Sequence, residues 1–103
     1  MIQPIHTKLV GVTYDERQES IRKWGCHDIG YFRLEREPNN PHDPNAVSVW
    51  FLDDRLGFLE RSVAKKLAPL MDAGRTFDAV FVSRNEWAPY ENVGLTIRIV
   101  EVQ

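Results

Sequence analysis

The chain reads as a small, mostly antiparallel β-barrel, OB-like or alternatively SH3-like, of about six strands and two short helices. Three observations predict this class. Six segments read as strands, with Thr7 to Tyr14 and Ile29 to Glu37 showing the two-residue alternation most directly. Only two segments carry the longer period of a helix. The 103 residues, 43% hydrophobic, have the size and composition of one globular domain with one core. Small closed barrels belong to this size class. A helix-flanked open sheet has the same element count, and periodicity does not decide closure.

The elements follow in order. Thr7 to Tyr14 (TKLVGVTY) alternates, with Val10, Val12 and Tyr14 on one face and Leu9, Gly11 and Thr13 on the other. It is the first expected strand. Asp15 is placed to cap a helix from Glu16 to Trp24, with Gln18 as the partner of a capping box and Gly25 as the stop. Ile21 and Trp24 are its buried positions. A helix that short holds only by packing.

Ile29 to Glu37 is the second strand. The run Pro38 to Pro44 is dense in turn formers, because Pro fixes φ and Asn and Asp bond their own backbone. Ala46 to Leu52 is the third strand, with Val47, Val49 and Phe51 facing one way. Asp53-Asp54 is a turn and Arg55 to Leu59 a short fourth strand. Ser62 is expected to cap a second helix whose apolar stripe is Val63, Leu67, Leu70 and Met71. Pro69 removes a backbone donor and is expected to kink or restart it, and Gly74 ends it. Thr76 to Arg84 and Val93 to Val102 are the last strands. The loop between them carries Trp87, Pro89 and Tyr90.

Thirteen Lys and Arg against 15 Asp and Glu give a formal charge of −2. That excludes a protein that coats a polyanion by overall charge, while leaving room for a local basic patch. One cysteine, Cys26, excludes a disulfide scaffold and a cysteine-only zinc site. No metal-ligand spacing joins Cys26, His27, His6 and His42, so no metal and no cofactor is expected. His42-Asp43 comes with no serine or cysteine motif. The pairs Asp53-Asp54 and Glu35/Glu37 are explained by a turn and a strand edge. The expectation is a non-enzymatic protein. The start of the chain lacks the pattern of a signal peptide and no stretch reaches the ~18 apolar residues of a membrane span. The reading is soluble, intracellular and cytoplasmic, with no membrane partner.

The most distinctive segment is Arg36-Glu-Pro-Asn-Asn-Pro-His-Asp-Pro-Asn-Ala-Val-Ser-Val49. It resembles the signature of the HIRAN domain, a module found at the N-terminus of helicase-like repair ATPases and as a stand-alone bacterial protein. Three further pieces agree in family order: Val10-Gly-Val-Thr-Tyr-Asp-Glu-Arg-Gln18, Leu56-Gly-Phe-Leu-Glu-Arg61 and Ala64-Lys-Lys-Leu-Ala-Pro-Leu70. The resemblance covers roughly residues 7–82, within one domain taken as residues 1–103. It implies an OB-like barrel that binds the 3′-hydroxyl end of single-stranded DNA in DNA repair or replication-fork processing, beside a separate helicase or nuclease. Tyr14 matches a tyrosine that stacks on the terminal base. His42 stands where a second aromatic is usual. Asp43 matches the carboxylate that accepts a hydrogen bond from the 3′-hydroxyl, with Asn40 beside it, and Arg61 matches a phosphate contact. Two positions depart from the pattern: Thr13 stands for an arginine and Phe58 for a histidine.

Each candidate also has a plainer reading. Asp43 is a turn residue by type, Tyr14 a strand-end packing residue, and His42 an ordinary loop histidine. Arg36 is expected to pair with Asp43 or Glu37. Arg61, Lys65 and Lys66 lie at the start of the second helix, a place suited to phosphate. Arg17, Arg22 and Lys23 form a second basic cluster, expected to be solvated. Trp50, out of phase with Val47, Val49 and Phe51, is a stacking surface if exposed, and is expected instead to be buried beneath a helix. The alternative function is a protein- or peptide-binding barrel that has lost the DNA site, favoured by the net charge and by Thr13 and Phe58.

Overall fold

The computed structural model describes residues 1–14, 16–26, 30–86 and 92–103. Its elements are β1 (Ile5–Val10), α1 (Arg17–Trp24), β2 (Tyr31–Arg36), β3 (Val47–Phe51), β4 (Asp54–Leu59), α2 (Arg61–Asp72), β5 (Thr76–Asn85) and β6 (Gly94–Val102). The strands close into a barrel in the order β1-β4-β3-β2-β5-β6, every neighbour antiparallel. Closure rests on β1, which pairs through Ile5–Lys8 with β6 and through Leu9 and Val10 with β4. A closed barrel leaves no unpaired edge, and this settles the choice against an open sheet.

Alternation fills the interior. Leu9, Phe32, Val47, Val49, Leu56, Ala79, Leu95, Ile97 and Ile99 belong to one buried cluster, to which the helices add Ile21, Ala64 and Leu67. Gly57 on β4 is buried, and a Cβ there would lie 2.8 Å from the Val10 carbonyl oxygen. The tight approach of β1 to β4 therefore requires glycine at this position.

Several boundaries differ from expectation, each for a local reason. β1 stops at Val10 because Gly11 takes φ +65°, a backbone turn that favours glycine. Val12 to Tyr14 thus leave the sheet in spite of their alternation. α1 starts after Glu16, which makes no side-chain cap; the Asp15 cap lies outside the described residues. Gln18 does not complete a capping box. Its Nε2 donates to the Val12 and Val93 carbonyls, and its Oε1 accepts from Val93 N at 2.7 Å. It thereby joins the turn after β1 to the approach of β6. Gly25 does end the helix, its N–H bonding the Ile21 carbonyl.

In α2 the cap position is Glu60, without a side-chain bond, and the exposed Ser62 lies inside the first turn. β4 ends at Leu59 and the chain turns into the helix at once. The helix continues through Pro69 rather than restarting. The carbonyl that loses its donor belongs to Lys65, an exposed residue, so water can satisfy it. The deepest positions are Ala64, Leu67 and Ala68, with Val63, Leu70 and Met71 half-buried. Small alanines let the helix lie close on the core, which rotates the expected stripe.

Trp50 is not beneath a helix. It is half-buried, bonds Ser48 Oγ through its indole N–H at 2.7 Å, and has the Arg33 and Arg55 guanidinium carbons 5.4 and 5.2 Å from its ring centroid. Arg33 and Arg55 are its register partners on β2 and β4. Trp24 meets the barrel instead, with its ring 4.5 Å from Phe51 and its N–H on Asp54 at 2.6 Å.

One ion pair ties the chain ends to the barrel. Arg75, before β5, bonds both Glu101 carboxylate oxygens at 2.6 and 2.7 Å, and Glu101 also accepts from Ile2 N at 2.9 Å. The Arg75 hydrogen bonds, then the Ile2 amide, hold the Glu101 carboxyl down at about 2, against a usual 4.5. A carboxyl lowered on folding stabilises the fold above its unfolded value and loses that contribution as pH falls through the folded one. Thermal unfolding of the wild type and Glu101→Gln should therefore differ most above pH 4.5 and converge as pH falls towards 2. A gap that stays constant over that window would contradict this account.

Candidate functional site

The Pro-rich loop between β2 and β3 is held by its own polar groups. The Glu37 amide bonds the Ala46 carbonyl at 2.9 Å, and the Ala46 amide bonds the Asp43 carbonyl at 3.1 Å. Asn40 Oδ1 accepts from the His42 and Asp43 amides at 2.9 and 3.3 Å. Asp43 Oδ1 accepts from the Asn45 amide at 2.9 Å. The turn role expected of these residue types is thus present. Arg36 anchors the loop from behind, but not through Asp43 or Glu37. It donates to the Ala46 and Pro44 carbonyls and forms a two-point pair with Asp72 at the end of α2. Its carboxylate partner thus comes from α2, 36 positions along the chain.

These bonds leave the loop facing a cavity of about 500 Å³ lined by Val10, Gly11, Tyr14, Arg17, Asn40, His42, Asp43, Ala46, Arg55, Phe58, Leu59 and Arg61. Five of the six expected site residues meet here: Tyr14, Asn40, His42, Asp43 and Arg61. Tyr14 is 65% exposed on the turn after Gly11. His42 is exposed, and Asn40 and Asp43 are half-buried. Arg61, the first residue of α2, donates to the His42 carbonyl at 3.1 Å and stands 3.8 Å from Asp43 Oδ2. Lys65, the sixth, does not line the cavity. One helical turn beyond Arg61, its side chain is on the exposed face of α2.

Asp43 keeps acceptor capacity. An ionised carboxylate offers about four lone-pair directions. Here one oxygen serves the Asn45 amide, while Arg61 is distant and three-quarters exposed. Three arginines and Asp43 are the charged groups of the lining, so the cavity is locally basic on a chain of formal charge −2.

The HIRAN domain model matches residues 3–100. The chain belongs to the HIRAN domain family. The match extends past residue 82 to the end of β5 and over most of β6. It is 45% identical over 40 residues to the helicase-like transcription factor of Oryctolagus cuniculus, a stretch that is 38% of this chain and 4% of that protein. Among solved structures it resembles the HIRAN domain of human HLTF, with TM-score 0.70 and 21% identity over 95% of this chain and 74% of that one. It also resembles a protein from Lactobacillus plantarum, with TM-score 0.68 and 24% identity over 97% of this chain and 98% of that one. Both share the fold.

Two further arginines complete the lining of this cavity. Arg17 belongs to the basic cluster with Arg22 and Lys23, yet it alone of the three lines the cavity. Its phase was the available signal. Arg17, Ser20, Ile21 and Trp24 fall at i, i+3, i+4 and i+7, the face that α1 turns inward, whereas Arg22 and Lys23 are exposed. Arg55 has no signal in the sequence beyond its strand, and its place opposite Trp50 follows from the β3–β4 register. Phe58 lies between them, 5.2 Å from the Arg17 guanidinium carbon and 5.4 Å from that of Arg55. Thr13 is exposed and outside the lining. Trp87 and Tyr90 lie outside the described residues. No group of three or more His, Cys, Asp or Glu able to hold a metal ion occurs among the described residues.

The loop geometry rests on Asn40. Asn40→Ala removes the acceptor for two amides and should cost about 1–2 kcal/mol of stability, whereas Asn40→Asp, which keeps an acceptor, should cost less. Denaturant unfolding of the three proteins measures both; equal stability of the alanine variant and wild type would show the loop to be held elsewhere.

Proposed function

We propose that this HIRAN domain is a non-enzymatic module that binds the 3′-hydroxyl end of single-stranded DNA in the cavity between Tyr14 and the Pro-rich loop. The observation that carries the reading is the meeting of an exposed tyrosine, a loop histidine, a carboxylate with acceptor capacity and three arginines around one opening. Each part has a task. Tyr14 and His42 offer aromatic faces on which a base stacks without sequence preference, at roughly 1–3 kcal/mol per base. Asp43 Oδ2 accepts from the terminal hydroxyl. Asn40 sets the backbone that aims Asp43, and Arg61 holds the His42 carbonyl and faces the same carboxylate. An internal nucleotide carries a phosphodiester at the 3′ position, with no donor and a negative charge, and Asp43 repels it.

A module of this kind marks strand ends for a separate helicase or nuclease in DNA repair or replication-fork processing. Support for that setting comes from the relative named as helicase-like, of whose length the matched stretch is 4%. The chain's charge of −2 favours a second reading, a protein- or peptide-binding barrel. Oligonucleotide binding distinguishes the two.

Fluorescence anisotropy with labelled single strands tests the site. Tyr14→Ala should weaken binding by ~1–3 kcal/mol and Tyr14→Phe only slightly. Normal binding by a folded alanine variant would remove Tyr14 from the site. The end group tests Asp43. A hydrogen bond to a charged group is worth roughly 1.5–3 kcal/mol, so the wild type should prefer a 3′-hydroxyl to a 3′-phosphate end by about tenfold or more. Asp43→Asn should narrow that preference by relieving repulsion of the phosphate. Equal affinity of the wild type for both ends would refute the end-recognition reading.

A further inference from the structure

Among the described residues, the exposed large apolar side chains are Met1, Val10, Tyr14, Tyr31, Leu52 and Val102. Val10 and Tyr14 line the Tyr14 cavity, and Met1 and Val102 lie at the chain ends. The remaining two are neighbours. Arg33 and Trp50 are register partners on β2 and β3. Tyr31 is two residues before the one and Leu52 two after the other, so they share an outer corner of the barrel, 63% and 60% exposed. Arg33 fixes that corner. It donates to the Leu52 carbonyl at 3.1 Å, and its guanidinium carbon lies 5.4 Å from the centroid of the Trp50 ring. Leu52 has φ +54°, a left-handed backbone that leucine adopts at a cost and asparagine or glycine takes readily.

The row continues around the wall. Tyr31 faces Val80 on β5, Val80 faces Arg98 on β6, and Arg98 faces His6 on β1. Val80 is half-buried, and Arg98 and His6 are exposed. Lys8, two residues beyond His6, is exposed as well. Among the described residues, no hydrogen bond, ion pair or ring contact engages the side chain of Arg98 or Lys8.

We propose that this row docks an acidic peptide segment of a partner protein, with an aromatic or leucine anchor seated on Tyr31, Leu52 and Val80 and its carboxylates at Arg98 and Lys8. Contiguous exposed apolar side chains mark interaction sites, whereas single ones are ordinary. Tyrosine, tryptophan and arginine dominate the binding energy of such surfaces. Charge selects the partner: the unengaged cations stand at one end of the apolar corner, so they attract carboxylates on one side of an anchor. Neighbouring strands are ~4.8 Å apart, which puts Arg98 ~10 Å from Tyr31, about three residues of an extended segment. The acids of this wall lie elsewhere. Glu35 pairs with Arg33 at 2.8 Å, Asp78 faces Val100 in the next row, and Asp53 follows Leu52 at the end away from Arg98. A nucleic-acid strand fits less well, because its phosphates recur along its whole length while only one end of this row is cationic. Strand order places the surface away from the first cavity. That cavity lies at the β1–β4 pair, where Val10 and Phe58 face each other, and the β2–β5 pair is three places round the barrel, on the opposite wall. A partner here leaves the Tyr14 cavity open, and the surface does not depend on the end-binding reading.

Short random peptides displayed on phage and selected on the full chain test the surface. Selected peptides should carry a phenylalanine, tryptophan or leucine with an aspartate or glutamate about three residues away. Binding of a labelled selected peptide, followed by fluorescence anisotropy, should weaken about tenfold or more in Tyr31→Ser and in Leu52→Asn, the scale of a central contact residue. Asparagine suits the left-handed backbone, so Leu52→Asn should unfold in denaturant no earlier than the wild type. Arg98→Glu should weaken the acidic peptide and prefer a version with lysines in place of its acids. Selection of no peptide, selection of basic ones, or undiminished binding by folded Tyr31→Ser and Leu52→Asn overturns the proposal. Loss of single-stranded DNA binding in folded Tyr31→Ser would assign the row to nucleic acid instead. Self-association of the wild type in light scattering, abolished in Leu52→Asn, would assign it to a second copy of the chain. Either result also overturns the peptide surface.

Discussion

The split pairing of β1 is the constraint from which the site follows. Ile5–Lys8 lie on β6 and Leu9 and Val10 on β4, so this strand closes the barrel. Closure brings Val10 opposite Phe58 and leaves no room for a side chain at Gly57. Immediately afterwards Gly11 turns the backbone out of the sheet at φ +65°. That turn lifts Tyr14 off the barrel and starts α1 with Arg17 beside the Phe58 ring. A strand continued to Tyr14 would have carried the tyrosine along the barrel wall instead.

The opposite wall of the cavity is built by a different principle. The Pro-rich loop contributes few apolar contacts and is held by side-chain bonds to its own amides, from Asn40 and Asp43, and by Arg36 from behind. Asp43 therefore serves the turn through one oxygen and has the other 3.8 Å from Arg61, while the residue lines the cavity. Serving the turn does not exhaust Asp43, because a carboxylate has lone pairs for further hydrogen bonds.

Charge is distributed against the chain average. The molecule is slightly acidic, yet the charged cavity lining is dominated by arginines. Two of them are stacked on aromatic rings and the third reaches a loop carbonyl, so the positive charge is positioned by packing. A few oriented guanidinium groups suit a ligand that presents one end and one or two charges. An extended polyanion held along its length needs many more phosphate contacts.

The sequence by itself determined the number and type of elements, since strand and helix periods are local properties of consecutive residues. It also marked the Pro-Asn loop, whose residue types favour turns wherever they occur, and with it Asn40, His42 and Asp43. Element ends were less legible. The alternation to Tyr14 continues past the point where Gly11 breaks the strand, and Gln18 has the spacing of a cap while its bonds go to Val12 and Val93. Only the tertiary structure decided closure, the partner of Arg36, and the joining of Arg17 and Arg55 across Phe58. Those contacts link residues dozens of positions apart, and their geometry is set by strand register and by the angle at which α1 leaves the barrel. Neither quantity is written in the spacing of neighbouring residues.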